Sequence, residues 1–333
     1  MTDLPQCDRC TPLGDDHHQR ADEAAVWVPD RREWLCEHCR TELDVTPVPS
    51  EDGVYADLPE ENYHADPDSL SSSGARQLLK TSPKKFLLAA RVEKREWDVG
   101  HVVHKLILGK GSEVAVLDPA VHGLTKDGKP ANSPKSTSMW QKAEAEARAR
   151  GAVPISTADY ETAQAMAAAV RNNDHAAGLL SQGEPEISGY WHDPATDARL
   201  RWRADWLHPG RSRLIIVDYK STKNAEPRAF WKSVSEYGYH QQDAWYRDGV
   251  IACGIDDDPL FLFIAQEKEY PYEVTVHESK PDDITRAREL NRKAIDLWAR
   301  CRQSGEWPGY PPGIHTIQHP SYAIYREQEQ LAS

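Results

Sequence analysis

The 333-residue chain has no run of eighteen apolar residues, and a helix that crosses a bilayer needs about twenty. A helical membrane span is therefore excluded as its organising feature. The opening Met1-Thr2-Asp3-Leu4-Pro5 lacks the basic and apolar regions of a secretory signal, so a cytoplasmic location is expected. Positive charge is scarce: 40 Lys and Arg stand against 53 Asp and Glu, a formal net charge of −13. Proteins that coat nucleic acid need cations for phosphate contacts, so that class is disfavoured. A local basic groove on an acidic body is still compatible with the balance, and acidic metal ligands themselves add negative charge. No internal repeat is visible. Aromatic residues make up 8% of the chain and include eleven Trp, enough to build one large core beside a smaller unit.

The most informative stretch is Arg201-Trp202-Arg203-Ala204-Asp205 followed by Leu214-Ile215-Ile216-Val217-Asp218-Tyr219-Lys220. It reads as two strands joined by a turn at His208-Pro209-Gly210-Arg211. The second strand is a nearly continuous apolar run ending in Asp-x-Lys. Residues i and i+2 of a strand point to one face, so Asp218 and Lys220 share a pocket, and Asp205 arrives from the neighbouring strand. Two carboxylates can hold a hard divalent cation, and a lysine beside them can position a water. That combination suits metal-assisted phosphodiester hydrolysis. The competing reading is a surface ion pair closing an edge strand. With the turn at 208–211, Asp205 faces about residue 215, roughly 10 Å along the strand from Asp218, so a bulge or strong bend is expected to bring them together.

Cys7-Asp8-Arg9-Cys10 and Cys36-Glu37-His38-Cys39 form two CxxC pairs separated by twenty-five residues. Four thiolates in two tight turns suit a structural tetrahedral zinc site, and a cytoplasmic chain disfavours disulfides as the alternative. Residues 1–42 are expected to form this zinc-ribbon-like module, with Trp27 and Trp34 in its small core. Residues 43–62, polar and proline-rich around Thr46-Pro47-Val48-Pro49, read as a linker. Helices are expected near 73–79, 97–108, 139–150, 157–172, 226–253 and 281–304. Strands are expected at 186–192, in the hairpin, at 260–265 and at 272–276. Residues 118–138 read as a long loop, a candidate flap. Lys80, Lys84, Lys85, Arg91, Lys94 and Arg95 are a candidate basic groove or, equally, a solvated helix face.

Several segments then resemble the RecE-type exonucleases of the PD-(D/E)XK nuclease superfamily. They are Tyr63-His64, Leu70-Ser71-Ser72-Ser73, Ser82-Pro83-Lys84-Lys85-Phe86, Gly100-His101-Val102-Val103-His104, Arg203-Ala204-Asp205-Trp206, Asp218-Tyr219-Lys220-Ser221-Thr222 and Tyr239-His240-Gln241-Gln242-Asp243-Ala244-Trp245-Tyr246. They run in matching order over residues 60–325, and the first sixty residues have no counterpart. The resemblance implies an α/β restriction-endonuclease-like core over residues 63–333, a mixed sheet flanked by helices. It implies a metal-dependent 5′-to-3′ exodeoxyribonuclease that leaves 3′ single-stranded tails at duplex DNA ends. A strand-annealing partner, a phage or prophage setting and a homo-oligomeric ring follow from the same likeness.

The resemblance places a metal-binding histidine at His104, with His101 one turn away as the alternative. Asp205, Asp218 and the Tyr219 carbonyl complete the expected ligands. Hard oxygens with one imidazole suit magnesium or manganese. Lys220 would orient the attacking water and stabilise charge on the phosphate, or else pair with Asp205. Glu186, on the preceding strand, could act through a second metal or a water. Gln242 and Tyr246 share a helix face, and the resemblance places such a pair beside the active site, where it could contact the scissile phosphate or the terminal nucleotide; a helix-capping or core role is the competing reading for Tyr246. Ser71, Ser73 and Arg76 open a helix and could hold a 5′-phosphate or simply cap it. Two other readings remain open. One is a Cas4-like or RecB-like nuclease carrying an iron–sulfur cluster. The other is a binding module that grips DNA through the zinc ribbon and has lost catalysis.

Overall fold

A computed structural model describes residues 26–28, 33–35, 48–89 and 98–332. Strands β1 (Val26–Val28) and β2 (Glu33–Leu35) pair antiparallel with Trp27 opposite Trp34. Cys7, Cys10, Cys36 and Cys39 lie outside the described residues. Next come β3 (Gly53–Tyr55), helix α1 (Glu60–Ala65), β4 (Leu70–Ser71), α2 (Ser72–Lys80) and α3 (Pro83–Leu87). Part of the stretch read as linker is thus built into the body. β3 pairs with the strand at 184–192, an addition that a polar, proline-flanked tripeptide does not announce. The Ser71 hydroxyl caps α2 by accepting the Gly74 N–H at 3.2 Å.

A second group of elements covers one side of the body. It comprises α4 (Asp98–Leu108), β5 (Val114–Leu117), α5 (Pro119–His122), α6 (Ser138–Ala149), β6 (Val153–Ser156), α7 (Thr157–Asn172) and α8 (Asp174–Leu180). Strands β5 and β6 make a small parallel pair. The expected long loop at 118–138 holds α5, a bridge between Leu124 and Pro130, one 3-10 turn, Pro134–Ser136, and the first residue of α6.

The main sheet follows, with β7 (Glu184–His192), β8 (Arg199–Pro209), β9 (Leu214–Thr222), β10 (Leu260–Glu267) and β11 (Val274–His277). Between β9 and β10 lie α9 (Pro227–Tyr237) and α10 (Tyr239–Ala252), two helices where the sequence suggests one segment. The break is Gly238, at φ 68, where an added Cβ would come within 2.9 Å of the Arg76 side chain. α11 (Pro281–Ser304) matches its expected span, and a further helix, α12 (Ser321–Ala332), follows it. None of the described helices is long and apolar enough to cross a membrane.

The seven-stranded sheet runs β11-β10-β9-β8-β7-β3, with β4 also beside β8. β9–β10 and β4–β8 are parallel, and the other pairs are antiparallel. Apolar side chains line both faces. Leu70, Trp202, Ile216, Trp245, Phe261, Phe263 and Trp298 gather on the α2, α10 and α11 side, while Val102, Val103, Met166, Val217, Tyr219 and Ile264 gather on the α4 and α7 side. Trp202 is completely buried, and both Gly189 and Gly249 press against it: a Cβ on either would come within 2.3 Å of the indole. Side chains of that density fix the relative position of β7, β8 and α10.

Two features of β8 create the site. First, the turn closes with Pro209 opposite Leu214, so the connecting residues are 210–213, later than the sequence suggests. Trp206 then faces Val217, and continuing that register sets Asp205 beside Asp218. The expected bulge is not needed to bring them together. Second, β8 is shared. Its first half pairs with β4 at Leu70↔Leu200 and Ser71↔Arg201, and its second half pairs with β9 only as far as Trp206↔Val217. The sheet therefore forks between Arg201 and Trp206, and the fork opens beside Asp205.

Candidate active site

The fork leads into a cavity of about 550 Å³ lined by α1, α2, α4, β7, β8, β9 and α10. His104, Glu186, Asp205, Asp218, Tyr219, Lys220, Gln242, Tyr246, Ser71, Ser73 and Arg76 all lie on its wall. These residues, all singled out in the sequence, are thus brought to one place from seven separate elements.

Asp205 leaves the ladder and replaces it. Its Oδ2 accepts the Tyr219 N–H at 2.8 Å, filling a donor that the diverging strand would otherwise leave without a partner. The same oxygen lies 3.4 Å from His104 Nε2. His104 Nδ1 is in turn 3.3 Å from Glu186 Oε1. Among the described residues His104, Glu186 and Asp205 are the group whose ligand atoms all fall within 4.8 Å of one another. His104, rather than the exposed His101, faces the carboxylates. The hydrophobic stripe of α4 explains this: Val102 and Val103 are fully buried, and that packing turns His104 inward.

Asp218 is 1% exposed. Gln242 Nε2 donates to its Oδ1 at 2.5 Å, and the Lys220 ammonium lies 2.5 Å from Oδ2. That second contact is an ion pair without a well-directed hydrogen bond, so Oδ2 retains acceptor capacity. Lys220 therefore pairs with Asp218 and not with Asp205, as the shared strand face requires. Its ammonium also lies 5.1 Å from the centre of the Tyr239 ring. Tyr219, between the two, points to the opposite face, where its hydroxyl donates to Gln266 Oε1 at 2.6 Å.

The electrostatics follow from burial and from mutual pairing. Burial lifts the Asp218 carboxyl to about 6; Asp205 adds to the rise and Lys220 opposes it. Burial pushes Asp205 up as well, but the His104 imidazole and the Tyr219 N–H outweigh it and hold Asp205 below its ordinary value. For His104, burial works against the charged ring, yet Asp205, Glu186 and Asp218 together raise it to about 9. Glu186 is raised by burial and by Asp205. Lys220, despite burial, is held above its ordinary value by Asp218 and Asp205. One imidazole with several carboxylates around an acceptor that lacks a directed donor is a donor set that fits a hard divalent cation.

The remaining expected residues have specific local partners. The Ser71 hydroxyl is engaged as the α2 cap and lies 3.1 Å from the Ser73 hydroxyl. Arg76 donates to the carbonyls of Tyr237 at 2.7 Å and Ser72 at 3.3 Å, and burial lowers its pKa. Tyr246 is 8% exposed and packs on Trp202 and Phe261. Lys80, Lys84 and Lys85 are exposed on α2 and α3 and do not line the cavity; Arg91, Lys94 and Arg95 lie outside the described residues. No residue of 118–138 lines the cavity. Five further residues contribute to which the sequence reading assigned no role. Tyr239 underlies Lys220, Arg203 holds Glu186, and Glu60, Tyr63 and His64 reach the wall from α1.

Comparison with known proteins bears on this arrangement. Residues 74–320 match the family described as a PDDEXK-like domain of unknown function (DUF3799). A crystal structure from Eubacterium rectale, of a protein provisionally described as an exonuclease, is similar with a TM-score of 0.50 at 14% identity. The match covers 82% of this chain and 98% of that one, and at that identity it concerns the fold alone. The crystal structure of SSO0001 matches at 11% identity over 61% of this chain and 85% of that one, with a TM-score of 0.26, too low to bear on the fold. No curated protein sequence matches.

The charge state of His104 is directly testable. Its folded value of about 9 lies above the ordinary 6.5, so in metal-free protein its stabilising contribution is complete below about pH 6.5 and is lost as pH rises through about 9. Urea unfolding in chelator, compared between wild type and His104→Gln, should show wild type losing on the order of 1–3 kcal/mol more than the variant between about pH 6 and pH 10. Parallel pH curves for the two proteins would refute the pairing of His104 with Asp205 and Glu186.

Proposed function

The chain belongs to the PDDEXK-like domain family, and from that premise we propose that it is a metal-dependent nuclease whose active site is the cavity at the β8–β9 fork. The observation that carries this reading is the convergence of His104, Glu186, Asp205, Asp218 and Lys220 in that cavity. His104, Asp205 and Asp218, with the Tyr219 carbonyl and Glu186 nearby, would hold magnesium or manganese. When bound, such a cation polarises a phosphoryl oxygen and makes a water more acidic.

The protein's own groups supply the rest. Gln242 fixes one oxygen of Asp218, so this carboxylate keeps one orientation. Lys220 carries a permanent positive charge where negative charge develops on a transferring phosphoryl group. His104 must release its proton before its nitrogen can act as a ligand, which makes metal affinity rise with pH over the range in which it titrates. Arg76 offers a partly buried cation on the cavity wall, suited to a phosphate one step away from the reacting one. Tyr246 borders the same space.

The finer reading follows the RecE-type resemblance: a 5′-to-3′ exodeoxyribonuclease acting on duplex DNA ends in the cytoplasm, in a recombination setting with a strand-annealing partner and a ring-shaped homo-oligomer. The first 42 residues, with Cys7, Cys10, Cys36 and Cys39, are proposed as a separate zinc-binding module, joined through a partly docked linker to the nuclease domain.

Digestion of linear duplex DNA labelled at either end tests the activity. Wild type should release 5′ label with Mg²⁺ and none in chelator. Asp218→Ala should abolish cleavage. Lys220→Ala should still bind Mn²⁺ but cleave about 10²-fold more slowly, as when one charge-stabilising donor is lost. Near-normal cleavage by Asp218→Ala would remove this site from the chemistry. Elemental analysis of the full chain should find about one zinc, and Cys36→Ser should lose it. Iron with visible absorption would favour the Cas4-like or RecB-like reading instead.

A further inference from the structure

Glu186 is held in a way that nothing in its own strand explains. Its backbone has φ 58, in the left-handed region that non-glycine residues rarely occupy. Such a conformation costs about 1–3 kcal/mol and persists only where the surroundings over-determine it. The β7–β8 register pairs Pro185 with Trp206 and Ile187 with Ala204 but lapses between them, at Glu186 and Asp205. The two carboxylates therefore sit side by side in a gap of the ladder. Like charges so placed repel, and Glu186 could relieve the repulsion by rotating away.

Arg203 prevents that rotation. Its Nε lies 2.6 Å from Glu186 Oε2, while Glu186 Oε1 faces His104. The same guanidinium donates through Nη1 to Ser188 Oγ at 2.8 Å and to the Leu58 carbonyl at 2.9 Å. Leu58 belongs to the segment between β3 and α1 that wraps over the strand. Neighbouring arginines of β8 fasten the chain on either side of that segment. Arg201 donates to the carbonyls of Asp66 and Ser69, and Arg199 donates to those of Pro49 and Glu51. A planar guanidinium can bridge three acceptors at once because its donors form a rigid fork. Arg203 is therefore the point at which the docked segment, strand β7 and the carboxylate cluster meet.

We propose that Arg203 is a positioning residue: it saturates one oxygen of Glu186, aims the other into the His104–Asp205 cluster, and makes cation affinity depend on docking of the 53–58 segment. The inference rests on the metal-centre reading given above. Partners one step behind metal ligands are worth about 10–100-fold in affinity, which sets the expected effect.

The test is Mn²⁺ titration calorimetry on the full chain. The proteins compared are wild type, Arg203→Gln, Glu186→Gln, the double variant and Arg203→Lys, each checked by circular dichroism. Arg203→Gln should weaken Mn²⁺ binding about tenfold or more. Glu186→Gln should do the same, and the double variant should be no weaker than the weaker single one, because both remove one unit. Arg203→Lys should recover only part of the loss, since an ammonium cannot reach all three acceptors.

Unchanged Mn²⁺ affinity in Arg203→Gln, with faster hydrogen exchange at residues 53–58, means that Arg203 merely fastens the segment, and overturns the proposal. Multiplicative losses in the double variant overturn it as well. Should Arg203→Gln not fold, wild-type affinity in Arg203→Lys serves as the refuting result. A wild-type chain that binds no Mn²⁺ overturns the metal-centre reading and this proposal together, a result distinct from a wild type that binds and variants that bind equally.

Discussion

Asp205 and Asp218 stand on facing strands, Asp218 almost wholly shielded from water and Asp205 half-buried on the cavity wall, and the surrounding structure is arranged around that conflict. Burial penalises the charged form of Asp218, which is 1% exposed. The mutual repulsion of the pair is a further part of what holds the Asp218 carboxyl above its ordinary value. The fold answers with one cation per carboxylate: Lys220 beside Asp218 and His104 beside Asp205. Gln242 and the Tyr219 N–H complete the set with neutral donors. Such an arrangement is poor stability design, since apolar residues of similar size are often as stabilising as a buried ion pair. On the proposed reading, its value lies in holding acceptor oxygens ready for a cation that compensates them better than protein groups do.

The fork in the sheet follows from the same constraint. An uninterrupted β8–β9 ladder would spend the Tyr219 N–H on backbone and leave Asp205 without a donor. Letting the strands part after Trp206 and Val217 frees that donor and opens the cavity. The packing that makes the parting tolerable lies nearby, where Trp202 is clamped between Gly189 and Gly249. β4 then occupies the edge of β8 that β9 has left, and its last residue caps α2 at the cavity wall. The first helix, the fork and the carboxylates are thus one construction.

Much of this was legible in the sequence because it rests on local periodicity. An apolar run ending in Asp-x-Lys gives a strand with Asp218 and Lys220 on one face whatever the tertiary context. The spans of α7 and α11 follow from helical repeat and flanking caps. Register was not legible in the same way: a shift of the turn to 210–213 moved the partner of Asp205 from about residue 215 to Asp218, and with it removed the need for a bulge. Nor was the break at Gly238, because the helical pattern continues on either side of it. β3 and α1 could not be read from composition, since Gly53–Tyr55 and Glu60–Ala65 are short and are held by the β7 ladder, by the small cluster of Leu58, Tyr63 and Tyr190, and by arginines of β8 bonded to the flanking backbone, none of which leaves a periodic signal. Arg203 was visible within Arg203-Ala204-Asp205-Trp206, but its partner Glu186 reaches it only across the strand and through a left-handed backbone that no residue type signals. Whether the cysteines ligate one ion is a matter outside the described residues.

The central claim is that the carboxylates at the fork are a cation site. Anomalous diffraction from crystals soaked in Mn²⁺ tests it most directly. The account predicts one strong peak in the cavity between His104, Asp205 and Asp218, lost in Asp205→Ala crystals. A peak elsewhere on the chain with none at the fork, or Lys220 and Asp218 still paired beside an empty map at saturating Mn²⁺, would contradict it.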